Sequence, residues 1–138
     1  MPRVTVLMPL FNGRNYIEES LQSVQAQTFS DWEFLIVNDF GSDDGCADIV
    51  QKYAKADPRI RLVQAETRLG LAASLNLGLE LAAGEYIARV DVDDPSEPAR
   101  FEKQVAFLDA NPAFSLCSVL QQSVTPSRSY IEQVACEE

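Results

Sequence analysis

A chain of 138 residues is long enough for one domain with a real core, and 46% hydrophobic content is ordinary for a soluble globular protein. With 21 acids, 11 bases and no histidine, the net charge is −10. That excess argues against nucleic acid as a partner, because phosphate-backbone binding needs clustered Lys and Arg. It leaves a nucleotide open, since a metal ion can bridge acids to phosphates. The missing histidine also removes the commonest general base and zinc ligand, so acid–base chemistry falls to carboxylates. Cys46, Cys117 and Cys136 show neither metal spacing nor a disulfide framework, which fits a reducing cytoplasm. No signal peptide opens the chain, and no apolar run approaches the roughly 20 residues of a membrane span.

The first apolar run, Val4 to Met8, reads as a buried strand ended by Pro9. Asn15 and Glu18 have capping-box spacing, ahead of a helical stripe of Ile17, Leu21 and Val24. Phe34 to Val37 is a second buried strand. Ala47, Val50, Tyr53 and Ala54 mark a second helix, stopped at Asp57-Pro58. Ile60 to Val63 is a third strand. Leu71, Leu75, Leu79 and Ala82 line a third helix, with Gly84 placed as its C-terminal cap. Tyr86 to Val90 is a fourth strand. Pro98 suits the first turn of a fourth helix with Phe101, Val105 and Leu108 facing inward. Continuous apolar strands separated by helices predict a three-layer α/β/α fold with a mainly parallel sheet, Rossmann-like in outline. The expected domain covers residues 1–112. Residues 113–138 read as an atypical tail: a strand over Phe114 to Val119, then a short helix or disorder.

Three loops follow strands and belong on one edge of such a sheet, where open α/β folds bind ligands. They are Pro9-Leu10-Phe11-Asn12-Gly13, Asn38 to Asp44, and Asp91-Val92-Asp93-Asp94. In isolation, each has a plain structural reading: Phe11 as core, Asp39 as a turn former, the acids as a solvated turn. Together they suit a nucleoside diphosphate. Phe11 stacks on a base, Asp39 accepts a ring N–H, and the acids hold a metal on the diphosphate. Gly-x-Gly-x-x-Gly after the first strand is absent, as is a Lys-bearing phosphate loop. Paired acids after the first strand, which a response regulator needs, are absent too.

Four blocks in order carry a resemblance. They are Val4-Thr5-Val6-Leu7-Met8-Pro9-Leu10-Phe11-Asn12, Phe34-Leu35-Ile36-Val37-Asn38-Asp39, Gly70-Leu71-Ala72-Ala73-Ser74-Leu75-Asn76, and Gly84-Glu85-Tyr86-Ile87-Ala88-Arg89-Val90-Asp91-Val92-Asp93-Asp94. From about residue 3 to about residue 112, the chain resembles the N-terminal half of an inverting family 2 glycosyltransferase with the A-type fold. The resemblance implies a truncated nucleotide-diphospho-sugar transferase-like fold. It implies that Pro9, Phe11 and Asp39 cradle the base, uracil first among the choices, with Asn12 also among the nucleotide-binding residues. Gly70 and Asn76 would line the nucleotide-sugar side, and Asp91 and Asp93 would form an Asp-x-Asp motif touching ribose and metal. The Mn²⁺ or Mg²⁺ ion falls to Asp93 or Asp94.

The resemblance further implies transfer of a sugar from a nucleotide-sugar donor, such as a UDP-sugar, to a carbohydrate or lipid-linked acceptor of the cell-envelope polysaccharide kind. The setting would be cytoplasmic, or peripheral at the inner face of the membrane. An inverting transfer also needs a carboxylate base at the acceptor, and nothing after Pro112 supplies a recognisable one. The alternative is therefore a catalytically incomplete nucleotide-binding remnant. An uncovered sheet edge would favour a homo-oligomer through residues 114–136. Departures from the family pattern are Phe11 in place of Tyr, Phe40 inserted in the Asp39 loop, and Arg68 where Asn is frequent.

Overall fold

A computed structural model describes residues 1–118, 121–124 and 130–134. It resolves into two compact units, Met1–Phe101 and Glu102–Glu138. In the first unit, four strands form one sheet: β1 (Val4–Leu10), β2 (Trp32–Asn38), β3 (Ile60–Gln64) and β4 (Tyr86–Arg89). Their order is β3-β2-β1-β4 and every pairing is parallel. Helices α1 (Ile17–Gln25), α2 (Cys46–Ala56) and α3 (Gly70–Leu81) connect them. The steps β1→β2→β3 move one way across the sheet and β3→β4 moves back. Right-handed crossovers therefore put α1 and α2 on one face and α3 on the other. The expected three-layer fold with a parallel sheet is present.

Strand β2 is buried along its whole length, as a central strand covered on both faces must be. Alternation sorts β1: Val6 and Met8 point to one face, Thr5 and Leu7 to the other. Leu7, Leu35 and Val37 form a core cluster on which Val63, Leu75 and Leu77 pack. That cluster lies under α3.

The face of α3 differs from the leucine stripe expected of it. Ser74 and Gly78 are its buried residues, whereas Leu71 and Leu79 are 56% and 50% exposed. Close packing decides this. A Cβ on Gly78 would meet the side chain of Leu7, with Leu7 Cδ2 at 3.1 Å. Only small residues fit where helix and strand approach so closely; Leu71 and Leu79 turn outward, while Leu75 of the expected stripe stays packed on the core cluster.

Gly84 also differs, because α3 ends at Leu81 with Ala82 as its cap. The glycine instead lies against β1, where an added Cβ would contact the Thr5 backbone nitrogen and stand 2.7 Å from the Val4 carbonyl carbon. Asn15 and Glu18 form no capping box: α1 starts at Ile17, and its cap residue Tyr16 makes no side-chain cap hydrogen bond. Pro98 precedes the fourth helix, α4 (Arg100–Ala110), by two positions and lies in the turn that leads into it. Phe101 and Val105 are buried and Leu108 is partly buried, as expected.

Within the second unit, residues 114–118 form no strand. The segment folds back on α4 instead: the Phe114 ring lies 5.6 Å from that of Phe107, and Gln104 Nε2 donates to the Cys117 carbonyl at 3.5 Å. The tail holds two further strands, β5 (Gln121–Val124) and β6 (Tyr130–Val134), paired antiparallel. Backbone pairing between segments with β-branched and aromatic residues replaces the short helix expected there. Val119, Cys136, Glu137 and Glu138 lie outside the described residues.

Candidate functional site

Parallel strands β2, β1 and β4 deliver their following loops to one edge, in that spatial order. The first two loops are interlocked. Asn12 adopts φ 51°, and its Oδ1 accepts from the Asp43 N–H at 2.9 Å. Its own N–H donates to Ser42 Oγ at 3.0 Å. The Arg14 N–H donates to Asp44 Oδ2 at 2.7 Å. Burial pushes the Asp44 carboxyl up, but bonds from Arg14 and Cys46 hold it below the usual range. Asn tolerates the left-handed region better than most residues, so the β1 loop turns here at little cost.

Asp39, immediately after β2, is 4% exposed. Its Oδ1 accepts from the Phe40 N–H at 2.8 Å and the Leu69 N–H at 2.7 Å. Its Oδ2 accepts from the Gly70 N–H at 2.9 Å and pairs with Arg68 Nε at 3.1 Å. Burial pushes its pKa up; the three backbone donors and the Arg68 charge outweigh it and hold the carboxyl below the usual range. Asp39 thus ties the β3–α3 loop to the sheet edge. Gly70 starts α3 at φ 75°, a conformation that favours glycine. Arg68 continues from Asp39 over Phe11, its guanidinium carbon 3.6 Å from the ring centroid. Phe11 itself is 41% exposed, so it belongs to the surface of the site rather than to the core.

The third loop is held from α1. Ser20 Oγ donates to the Val92 carbonyl at 2.9 Å, and the Ser96 N–H donates to Ser23 Oγ at 3.1 Å. Gly13 lies against Val92 so closely that a Cβ would stand 2.7 Å from its Cγ2. Arg89 reaches Asp91 from β4, with Nη2 at 3.1 Å from Oδ1. Arg100 Nη2 donates to the Arg89 carbonyl at 2.9 Å. Asp93 and Asp94 are exposed. Partial loss of water on its packed side raises the Asp94 pKa first, Arg100 pulls it down, and the charges of Asp91 and Asp93 add to the rise.

The structure therefore brings Pro9, Phe11, Asn12, Asp39, Gly70, Asp91, Asp93 and Asp94 to one edge of the sheet. Asn76 stands apart, exposed on α3 about 9 Å along the helix axis from Gly70. Sequence reasoning missed the contacts of three arginines: Arg68 on Phe11, Arg14 in the second loop, and Arg89 on Asp91. Only the i, i+2 spacing of Arg89 and Asp91 was available as a signal. The others join residues from different loops. Among the described residues, no three potential metal-ligating side chains form a ready cluster. No helix among them is long and apolar enough to cross a membrane.

The family model described as glycosyl transferase family 2 matches residues 5–133, past the Pro112 at which the motif resemblance ends. TuaG of Bacillus subtilis (strain 168), named as a glycosyltransferase of teichuronic acid biosynthesis, is 41% identical over 133 residues. The match spans 94% of this chain and 52% of TuaG. Among solved structures, S. aureus TarS 1-349 in complex with UDP has a TM-score of 0.73 at 30% identity, with 81% of this chain and 33% of that one covered. The mannosyltransferase PcManGT from Pyrobaculum calidifontis, in complex with GDP-Man and Mn²⁺, has a TM-score of 0.69 at 34% identity, with 78% and 32% covered. The chain thus spans about half the length of TuaG and about a third of the solved chains. With the family match running over nearly the whole sequence, the chain belongs to glycosyl transferase family 2.

Proposed function

We propose that this chain binds the nucleoside diphosphate of a sugar donor, uridine-type first, for transfer to a carbohydrate or lipid-linked acceptor. One observation carries the reading: an aromatic face (Phe11), a buried carboxylate (Asp39) and an acidic turn (Asp91 to Asp94) follow three adjacent parallel strands. A base needs a hydrogen-bond acceptor and a stacking surface, and a diphosphate needs a cation site; Asp39, Phe11 and the acidic turn offer these in that order across β2, β1 and β4. The nucleotide complexes of TarS and PcManGT support the same assignment.

The acidic turn suits Mn²⁺ or Mg²⁺ in its donor chemistry. Hard cations of this kind take one or two carboxylates and complete their shell with phosphate oxygens and water, so a closed protein cage is not required. Desolvation first, and the charges of Asp91 and Asp93 after it, push the Asp94 carboxyl toward its neutral form, and a cation would oppose both. Asp93 or Asp94 would hold the ion, Asp91 would face the ribose, and the metal would supply Lewis-acid stabilisation of the leaving diphosphate. Calorimetric titration with UDP and Mn²⁺ tests the proposal. Saturable heat is expected; a folded protein that takes up no nucleoside diphosphate would sink it.

A second reading is nucleotide binding by this chain without sugar transfer. Turnover of UDP-sugars by the isolated chain decides between the two. Sustained sugar transfer to a defined acceptor would exclude the second.

A further inference from the structure

The Arg68 side chain occupies both things that a nucleobase needs at this site. Its guanidinium lies flat enough over Phe11 to bring the central carbon 3.6 Å from the ring centroid. Its Nε stands 3.1 Å from Asp39 Oδ2. A carboxylate offers about four lone-pair positions. Here Phe40, Leu69, Gly70 and Arg68 fill four, so Asp39 has no acceptor left for an incoming base. Three of those donors are backbone N–H groups that fix a loop. The fourth is a side chain that is 54% exposed on a long flexible stem, held besides by a bond from its Nη1 to the Phe40 carbonyl at 3.4 Å.

A guanidinium is a planar, delocalised group that stacks on aromatic faces and presents N–H donors in its plane. A uracil ring has the same description: a flat π-face with an N–H on its edge. We propose that Arg68 is an internal stand-in for the nucleobase, seated on Phe11 and Asp39 when the site is empty and displaced when a donor binds. The inference rests on the nucleotide reading given above. It also sharpens base choice. Arg68 vacates an acceptor, so the incoming base must bring a donor: uracil, thymine or guanine offers a ring N–H to Asp39 Oδ2, whereas cytosine and adenine present a bare ring nitrogen there and reach it only by shifting to use their exocyclic amine.

An occupied site weakens apparent affinity by the fraction of molecules in the open state. Displacing the half-exposed Arg68 from buried Asp39, the Phe40 carbonyl and the Phe11 ring, with a base N–H taking its place on Asp39, corresponds to a roughly 3- to 10-fold effect. The loop does not depend on this side chain, because the Leu69 and Gly70 N–H groups hold Asp39 whatever residue 68 is.

The experiment titrates wild type and Arg68→Ala with uridine, which carries no phosphate, and with UDP plus Mn²⁺, following both by NMR. Matched thermal unfolding of the two proteins establishes that the variant folds. Both ligands are expected to bind Arg68→Ala roughly 3- to 10-fold more tightly. Unchanged or weaker uridine binding would overturn the stand-in, because Arg68 would then be neutral or would clasp the base. Weaker UDP binding with uridine unchanged would overturn it too, and assign Arg68 to the diphosphate. In each of these outcomes the nucleotide site survives. Absence of binding by wild type and variant alike would instead remove the nucleotide reading, and the stand-in with it.

Discussion

Gly84 and Thr5 are locked together across the start of β1: the Gly84 N–H donates to Thr5 Oγ1 at 2.8 Å, and the glycine has no room for a side chain. The same threonine hydroxyl donates to Glu33 Oε1 at 2.7 Å, and that oxygen also accepts from the Ala83 N–H at 2.7 Å. The short link between α3 and β4 is therefore fastened to β1 and β2 by one hydroxyl and one carboxylate. Backbone atoms of Val4 and Thr5 surround the missing Cβ and cannot yield as a flexible side chain does. Gly84→Ala is expected to cost about 2–3 kcal/mol. Chemical denaturation against wild type measures this, and a loss below about 0.5 kcal/mol would contradict the packing described.

The inward face of α3 predicts a contrast between two leucines. Leu7 is 2% exposed beneath Gly78, so Leu7→Ala is expected to cost about 3 kcal/mol through lost burial and a residual cavity. Leu79 is 50% exposed, so Leu79→Gln is expected to stay within about 0.5 kcal/mol. Urea midpoints at constant slope give both values. Equal losses would restore the leucine stripe as the inner face.

Asp57 gives the fold an acid limb. Its carboxylate is chelated by Arg59, with Nη2 to Oδ2 at 2.8 Å, and takes Gln25 Nε2 at 3.2 Å. Arg59 in turn lies over Trp32, 3.7 Å from the ring centroid. The Arg59 hydrogen bonds lower the Asp57 pKa from 3.8 to about 2, against the opposing effect of burial. A depressed folded-state pKa contributes stability that is present above the unfolded value, near 3.8, and is lost as pH falls through about 2. With Arg59 partly exposed, screening leaves this at about 1 kcal/mol. Asp57→Asn is expected to flatten the pH dependence of stability between about pH 4 and pH 2, as read by thermal unfolding across that window. An unaltered acid limb would assign the effect to other carboxylates.

Asp39→Asn reverses half of a contact set. The amide presents N–H donors toward backbone N–H groups, so at least one of Leu69 and Gly70 loses its acceptor. The expected cost is about 2 kcal/mol, with nucleotide binding lost as the β3–α3 loop loosens. Hydrogen exchange at Leu69 and Gly70 locates the change. Protection retained at both amides would show that the loop is held by something else.

Asp93→Asn separates metal from fold. Asp93 is exposed, so stability should stay within about 0.5 kcal/mol. UDP binding in Mn²⁺ is expected to weaken about 10-fold or more, and wild type treated with EDTA should resemble the variant. Calorimetry with and without Mn²⁺ provides the comparison. Equal binding in both conditions would place the ion elsewhere or make the site metal-independent.

Most of the sheet was legible because its strands contain runs of apolar residues, although Pro9, expected to end β1, lies inside it opposite Val37. Phe34 to Val37 is read correctly from hydrophobicity, inside a strand that runs from Trp32 to Asn38 and is buried at every position. The face of α3 was not legible, because the spacing of Leu71, Leu75 and Leu79 obeys a helical period while distance from Leu7 sets the orientation. Gly84 illustrates the same limit: a glycine soon after a helical stripe reads as a cap, but its constraint comes from β1, far away in sequence. At the candidate site, the acidic turn and Asp39 were visible as residue types at strand ends. The pairing of Arg68 with Phe11 was not, since no local spacing links a β1 loop to a β3–α3 loop. In the tail, Tyr130, Ile131 and Val134 suit a helix or a strand equally by composition, and backbone pairing with Gln121–Val124 settled the matter.

The bonds that hold the β3–α3 loop come from the main chain at positions 69 and 70, not from the side chain at 68. The frame and the tenant are thus separately encoded. Residue 68 can be exchanged by a single codon change without rebuilding the loop, whereas Asp39 cannot. If Arg68 is the stand-in proposed above, occupancy of the site would be tuned through position 68 first, with the sheet edge passing unaltered from one variant to the next.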